Sequence, residues 1–365
     1  MKKHYFDIST DIELCAEQII NYWLFVIIGG RNTGKTYSAL KYFAIDRKEC
    51  FVFVKRTMED VKLLCDGSGK LGSKQKDYGL DLSPFKAINR DFNTNIKAFS
   101  IDHGLGAFYA CDPEGEPEKL IGYIIALSAV QKFKGFDLSD AKAIIFDEFI
   151  PQPWERYSKE EGNQLLDLYK TVSRDREHRG EDPLKLILLA NATRASNPIL
   201  NEFELTDPIV RMQFDDSEHL YMEEKGIFIH LIKNAADFDE IEENSMIYKA
   251  FHNTAWGEMA FNNKFGYDDF SNVERNNMKG FTPICRIDYK HNKWYLYQKE
   301  DKWYMTDSKT NKQLKRYNLN RESDQIAFYR DYGFTFYNRI IEGNGKTKTY
   351  RMYDIIMNYR RFFRT

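Results

Sequence analysis

Apolar residues recur along the first 205 positions in two alternating rhythms. Continuous runs such as FVIIG (from residue 25), CFVFVKR (50), GYIIALS (122), AIIFDEF (143) and LKLILLAN (184) read as strands. Between them KTYSALKYFA (35), MEDVKLLCD (58) and GNQLLDLYKTV (162) repeat apolar positions at helical spacing. This order predicts a parallel sheet with helices on both faces. AIIFDE and LILLAN are apolar at nearly every position, as strands covered on both faces must be. Residues 66 to 96, with DGSGKLGSKQKDYG and LSPFKAINRDFN, read as a surface loop.

Past about residue 206 the pattern turns acidic and irregular, in DDSEHLYMEEKG and NAADFDEIEENSMIYKAFHNT, which predicts an intermediate domain or lid rather than more sheet. From about 276, ICRIDYKHNKWYLYQKEDKWYMTD alternates as strands joined by polar turns, and DQIAFYRDYG and YRMYDIIMNYRRFF read as helices. The expected division is therefore 1–205, 206–275 and 276–365. No internal repeat or low-complexity linker interrupts it.

Charge sharpens that division. The formal net charge is −2, but residues 276–365 hold 19 Lys and Arg against 9 Asp and Glu, leaving 34 basic and 46 acidic residues upstream. Nineteen aromatic residues fall in the same basic segment. A nucleic-acid surface calls for such a mixture; so does a small β-rich core with lysines on its solvated face. The five cysteines, at 15, 50, 65, 111 and 285, contain no CxxC pair, which argues against a disulfide framework or structural zinc and for a reducing cytoplasm. The longest apolar run, WLFVII at 23–28, is too short to span a bilayer, and the N-terminus has no secretory pattern, so neither secretion nor membrane insertion is expected.

The candidate chemistry begins at GGRNTGKT, residues 29–36, which fits GxxxxGK[ST] between a β-branched strand and a helix start. Gly29, Gly30, Arg31, Asn32, Thr33 and Gly34 would curl backbone N–H groups around a phosphate at the positive end of that helix. Lys35 would reach the terminal phosphates of a triphosphate, and Thr36 would offer its hydroxyl to Mg²⁺. A metal–triphosphate needs a carboxylate from a second strand, and AIIFDEF supplies Asp147 on the metal side, with Glu148 to orient a water and accept its proton. Consecutive Asp and Glu point to hydrolysis. The three Asn-Lys pairs lack the aspartate of an NKxD guanine reader, which argues against GTP.

Several basic and polar groups could complete the site. TVSRDREHRG gathers Arg174, Arg176 and Arg179, which fit either an arginine that neutralises transition-state charge or a solvated helix end. Lys132 and Lys134 lie just upstream of the acidic strand, Lys55 and Arg56 end another strand, and Asn191 ends LILLAN as a phosphate sensor or a loop cap. The seven histidines show no ligand spacing, and the one in FIHLI reads as core, so no transition-metal site is expected.

In order and spacing, GGRNTGKTY, FVFVKRT, ALSAVQKFKGF, IIFDEF, LLDLYKTVSRDRE and LLANATRASNP resemble the DNA encapsidation ATPases of small short-tailed phages, relatives of large terminase subunits. The resemblance is close over about residues 20–200, weaker through TAWGEMAFNNKFG at 254–266, and architectural beyond. It implies an α/β P-loop NTPase of the additional-strand, catalytic-glutamate type, with ATP and Mg²⁺ as cofactors. It also implies a ring of identical subunits, five in number, on the portal at a capsid vertex, translocating double-stranded viral DNA in the host cytoplasm while attached to the procapsid. By motif, Lys35 and Thr36 take the phosphate-loop roles, Asp147 the metal-side acid, Glu148 the catalytic glutamate, Arg174 the finger acting on a neighbour, Lys134 a second such cation, and Asn191 the sensor. In large terminases the C-terminal domain is an RNase H-like nuclease. Here Asp288 and Asp307 stand among basic residues without an acidic cluster, which argues for a vestigial α+β domain that binds DNA, prohead RNA or capsid protein rather than cutting. A P-loop kinase, a helicase or recombination ATPase, and a nucleic-acid scaffold with an inert nucleotide site are the rival readings.

Overall fold

A computed structural model of the chain describes residues 5–18, 20–66, 83–133, 135–152, 154–233, 244–254, 257, 265 and 268–363. The chain divides into two compact units, Met1–Phe203 with Met212–Tyr267, and Glu204–Arg211 with Asp268–Thr365.

In the first unit, the apolar runs become strands whose side chains are buried on both faces. These are β1 (Leu24–Ile28), β2 (Phe51–Lys55), β6 (Ala143–Asp147) and β7 (Lys185–Ala190). With β3 (Ile96–Asp102), β4 (Leu105–Cys111), β5 (Pro117–Ala126), β8 (His219–Met222) and β9 (Ile227–Leu231) they form a nine-stranded sheet, ordered β3-β4-β5-β2-β6-β7-β1-β9-β8. The six strands from β5 to β9 run parallel, and each edge is finished antiparallel. Register brings Ile28 level with Ala190, and Asp147 level with Leu189. The chain therefore leaves β1, β6 and β7 at one edge, where ligands of open parallel sheets bind.

Helices cover this sheet through amphipathic faces. Asp7 accepts from Ser9 N–H at 3.0 Å and caps α1 (Ile8–Ala16), which buries Ile8, Asp11, Ile12 and Cys15. The glycine loop leads into α2 (Lys35–Lys41). Helices α3 (Met58–Asp66), α4 (Lys86–Phe92) and α5 (Glu161–Ser173) follow the strands, and α5 buries Leu165, Leu168 and Val172. Asn197 accepts from the N–H groups of Ile199 and Leu200 to start α6 (Pro198–Glu202). Among the described residues no helix is long and apolar enough to cross a membrane.

Two sequence expectations change. Residues 86–92, read as loop, form a helix because Phe85 and Ile88 bury one side of it. The sheet also continues past residue 205: β9 pairs in parallel with β1, and β8 completes the edge, where a lid had been expected instead of more sheet. Residues 212–267 accordingly group with the first unit, and 268–275 with the second, rather than as a body of their own. The acidic stretch 234–243 lies outside the described residues.

The second unit is α+β. Strands β10 (Thr282–Tyr289), β11 (Asn292–Lys299) and β12 (Lys302–Thr306) form an antiparallel meander, flanked by β13 (Lys315–Asn318) parallel to β10 and β14 (Gly345–Thr347) parallel to β12. Helices Glu322–Phe328, Phe334–Ile341 and Tyr350–Met357 complete it. Trp294, Tyr304, Tyr317, Phe328 and Phe336 are buried, whereas Lys293, Lys299, Lys302, Lys312 and Lys315 are exposed. Of the two readings of this segment, the rings serve as core and the lysines form the outer face. Asp288 is ion-paired with Arg286 and Arg316, and Asp307 with Lys348.

Candidate nucleotide site

Between β1 and α2 the backbone must reverse in a few residues, and it does so through left-handed conformations at Asn32 (φ 60°) and Gly34 (φ 86°). Gly34 suits its position because only glycine enters that region without steric cost. A methyl group there would also press on the Tyr5 side chain, 3.2 Å away. Phe6 N–H donates to Thr33 O at 3.0 Å, so the segment preceding α1 lies against the loop, a partner that no local motif in the sequence signalled.

Lys35 is only 8% exposed. Its ammonium donates to Gly30 O (2.6 Å), Gly29 O (3.2 Å), Thr33 Oγ1 (3.1 Å) and Asn191 Oδ1 (3.4 Å). Burial lowers its pKa to about 8, against the opposing pull of Asp147 and Glu148. Beside it, Thr36 Oγ1 donates to Asp147 Oδ1 at 2.7 Å, joining the start of α2 to the tip of β6. Lys55, at the end of β2, takes the other carboxylate oxygen at 2.8 Å and stands 3.8 Å from Glu148. Burial works against the Lys55 ammonium, yet the charge and hydrogen bond of Asp147 outweigh it and raise its pKa.

Glu148 has a left-handed backbone (φ 57°) that turns its side chain, 67% exposed, away from the strand. Its neighbours fix that turn. Arg56 donates to the carbonyls of Glu148 (3.2 Å) and Phe149 (2.8 Å), and Phe149 N–H donates to Leu189 O at 3.1 Å. Strain of order 1 kcal/mol or more at such a residue persists only where its surroundings impose it, and it concentrates at functional sites. Arg56 in turn pairs with buried Glu161 at 2.9 Å, an anchor on α5 that the sequence alone did not reveal.

A cavity of about 330 Å³ opens among residues 31–37, 147–148 and 189–191. Its floor offers the hydroxyl of Thr36 and the carboxylate of Asp147, oxygen donors of the kind a hard divalent cation takes, together with the buried ammonium of Lys35. These residues fit a magnesium–triphosphate chemically. The structure thus brings together the glycine loop, Lys35, Thr36, Asp147, Glu148 and Asn191. Arg174 does not line this cavity; its guanidinium donates to the carbonyls of Gly135 and Phe136 and pairs with Asp137 at 3.7 Å. Arg176 is buried against the carbonyls of Ser139 and Ala141, and Arg179 pairs with Glu181 at 2.7 Å. Lys134 lies outside the described residues.

Fold and site together define a parallel-rich α/β protein with a glycine loop facing an acidic strand tip. The family model described as "Podovirus DNA encapsidation protein (Gp16)" matches residues 116–331, more than half of the chain, and the chain belongs to that family. The match takes in Asp147, Glu148, Arg174 and Asn191 and begins downstream of the glycine loop. The DNA packaging protein of Bacillus phage B103 is 27% identical over 266 residues, covering 72% of this chain and 69% of that protein. The corresponding protein of Bacillus phage phi29 is 26% identical over 267 residues, covering 72% and 67%. In fold, the chain is similar to one from the bacteriophage phi29 viral genome packaging motor assembly, with a TM-score of 0.62 at 18% identity, covering 99% of each.

Proposed function

We propose that this encapsidation protein is an ATPase motor that drives double-stranded viral DNA into a preformed capsid. The observation that carries the reading is the hydrogen bond from Thr36 to Asp147, directly beside the Lys35 ammonium. It joins the glycine loop to the acid of a second strand, which supports reading the loop as a P-loop, since NTP hydrolysis requires that pair of elements. Lys35 would exchange its loop carbonyls for phosphate oxygens, and Asn191, already in reach of Lys35, would respond to their loss. Magnesium, held by Thr36 and Asp147, would supply neutralisation of phosphate charge. Glu148, exposed at the strand tip, would orient the attacking water and take its proton.

Family membership supports assembly on a portal, and a ring of five is the arrangement we adopt. The second unit would bind nucleic acid through backbone charge rather than base stacking, since its large rings are mostly buried and its lysines exposed. Both of its candidate nuclease acids are ion-paired, which supports a vestigial RNase H-like domain.

Glu148→Gln should bind ATP with unchanged affinity and lose hydrolysis about 10²- to 10⁴-fold, the span of general-base contributions. Phosphate release with duplex DNA and empty proheads measures the loss. Undiminished turnover would remove Glu148 from the chemistry. Transfer of the γ-phosphate to a small acceptor instead of water would favour a kinase.

A further inference from the structure

On the far side of β1 from the acidic strand, three side chains distant in sequence meet. His219 opens β8 and stands directly opposite His230 on β9, so both rings leave the hairpin on one face. Their centroids are 4.3 Å apart. Asp11 reaches them from the buried face of α1, with both oxygens close to His230 Nδ1, at 2.9 and 3.1 Å. One donor atom from each of Asp11, His219 and His230 lies within 4.8 Å of the others. The spacing is tertiary, which is why no local motif signalled it and the histidine of FIHLI read as core.

We propose that Asp11, His219 and His230 bind a zinc-class divalent cation that fastens α1 to the β8–β9 hairpin. Two imidazoles and a carboxylate are a borderline nitrogen and oxygen set that selects Zn²⁺ or its neighbours over Mg²⁺, which takes oxygen donors. Ligands about 2.0–2.1 Å from a tetrahedral zinc stand roughly 3.3 Å apart, close to the Asp11–His230 separation. Glu218 Oε1 lies 3.4 Å from His230 Nε2, the remaining ring nitrogen. That contact is the carboxylate–imidazole–metal arrangement that fixes a ligand ring. His219 makes ring contacts with Phe228 and His230 and no imidazole hydrogen bond to a described residue, so its nitrogens are free to ligate.

Position gives the cation a consequence. The His230 ring contacts Phe6 edge-on at 5.5 Å, and Phe6 N–H holds Thr33 of the glycine loop. Ile8 N–H donates to Ser38 Oγ on α2 at 2.8 Å. Fastening Asp11 to the hairpin therefore holds the segment that braces the loop. The metal assignment does not rest on the ATPase reading.

The test is titration of the full-length, metal-stripped chain with Zn²⁺ and Co²⁺ at neutral pH, without nucleotide. One equivalent should bind in the presence of millimolar Mg²⁺, and cobalt should give the visible bands of a four-coordinate nitrogen and oxygen site. His219→Gln and Asp11→Asn should each weaken binding at least tenfold, and Glu218→Gln about tenfold. Asp11→Asn keeps an acceptor for His230, so it reports on charge even where His219→Gln perturbs the hairpin. Absence of stoichiometric binding by the native chain, binding undiminished in both variants, or thiolate charge-transfer bands indicating a cysteine site would each overturn the proposal.

Discussion

At the scale of single residues, Arg56 does the most to shape the acidic strand tip, and its removal should be felt far beyond one lost contact. It holds the carbonyls of Glu148 and Phe149 and neutralises Glu161, which is only 2% exposed. Arg56→Ala would leave that carboxylate buried without its cation, a change that costs about 3–5 kcal/mol. The loss should depend on pH in a definite direction. Burial already raises the Glu161 pKa, with Arg56 opposing the rise. Without Arg56 the folded-state value climbs further above that of the unfolded chain, so the native state binds more protons across that interval. Stability of the variant then falls as pH rises through the interval and recovers as pH drops toward the ordinary carboxylate range. Urea unfolding of variant and native chain at a series of pH values reads this directly. A deficit constant with pH would assign the effect to the lost carbonyl bonds and the exposed Glu155 contact instead.

At the scale of elements, α5 is placed by a close approach to α6 that only glycine permits. A methyl on Gly162 would lie 2.4 Å from Glu202 Cβ and 2.9 Å from Pro198 O. Gly162→Ala should therefore push the helices apart and destabilise the chain by about 1–3 kcal/mol, despite alanine's better helix propensity. Thermal unfolding would show it; an unchanged or raised midpoint would mean that α6 yields without cost. What the sequence revealed at this scale follows from how each strand is buried. Strands β1, β2, β6 and β7 are covered on both faces, and their apolar runs could be read directly, with Lys35, Thr36 and Asp147 placed at their ends. Strand β3 leaves Ser100, Ile101 and Asp102 exposed and so lost its pattern. Strand β8 has four residues, none of them buried, and lies between the acidic pairs Asp215–Asp216 and Glu223–Glu224. Contacts such as Phe6 with Thr33, Arg56 with Glu161 and Asp11 with His230 join segments that only folding brings together, and no local spacing encodes them.

At the scale of the whole molecule, the arrangement of arginines decides whether one subunit can complete its own site. The nucleotide cavity is lined by residues 31–37, 147–148 and 189–191, and none of Arg174, Arg176 and Arg179 is among them. Arg176 is buried and committed to the carbonyls of Ser139 and Ala141, and Arg179 is paired with Glu181. Arg174 sits at the end of α5, part-exposed and held by the carbonyls of Gly135 and Phe136, weaker partners than a phosphate would be. In a ring, that makes it the one of the three best able to reach a neighbour's nucleotide. Arg174→Ala and Glu148→Gln should then each abolish ATP hydrolysis alone, by 10³-fold or more for the arginine if it acts as a finger of the usual strength. Mixed before assembly, they should recover part of it. Wherever a Glu148→Gln subunit presents its intact Arg174 to an Arg174→Ala subunit with an intact Glu148, one complete site forms. Activity should rise with the fraction of such interfaces, reaching a maximum near equal proportions and vanishing at either extreme. Phosphate release measured across the mixing series distinguishes this from an arginine acting within its own subunit, for which no proportion of the two variants restores turnover.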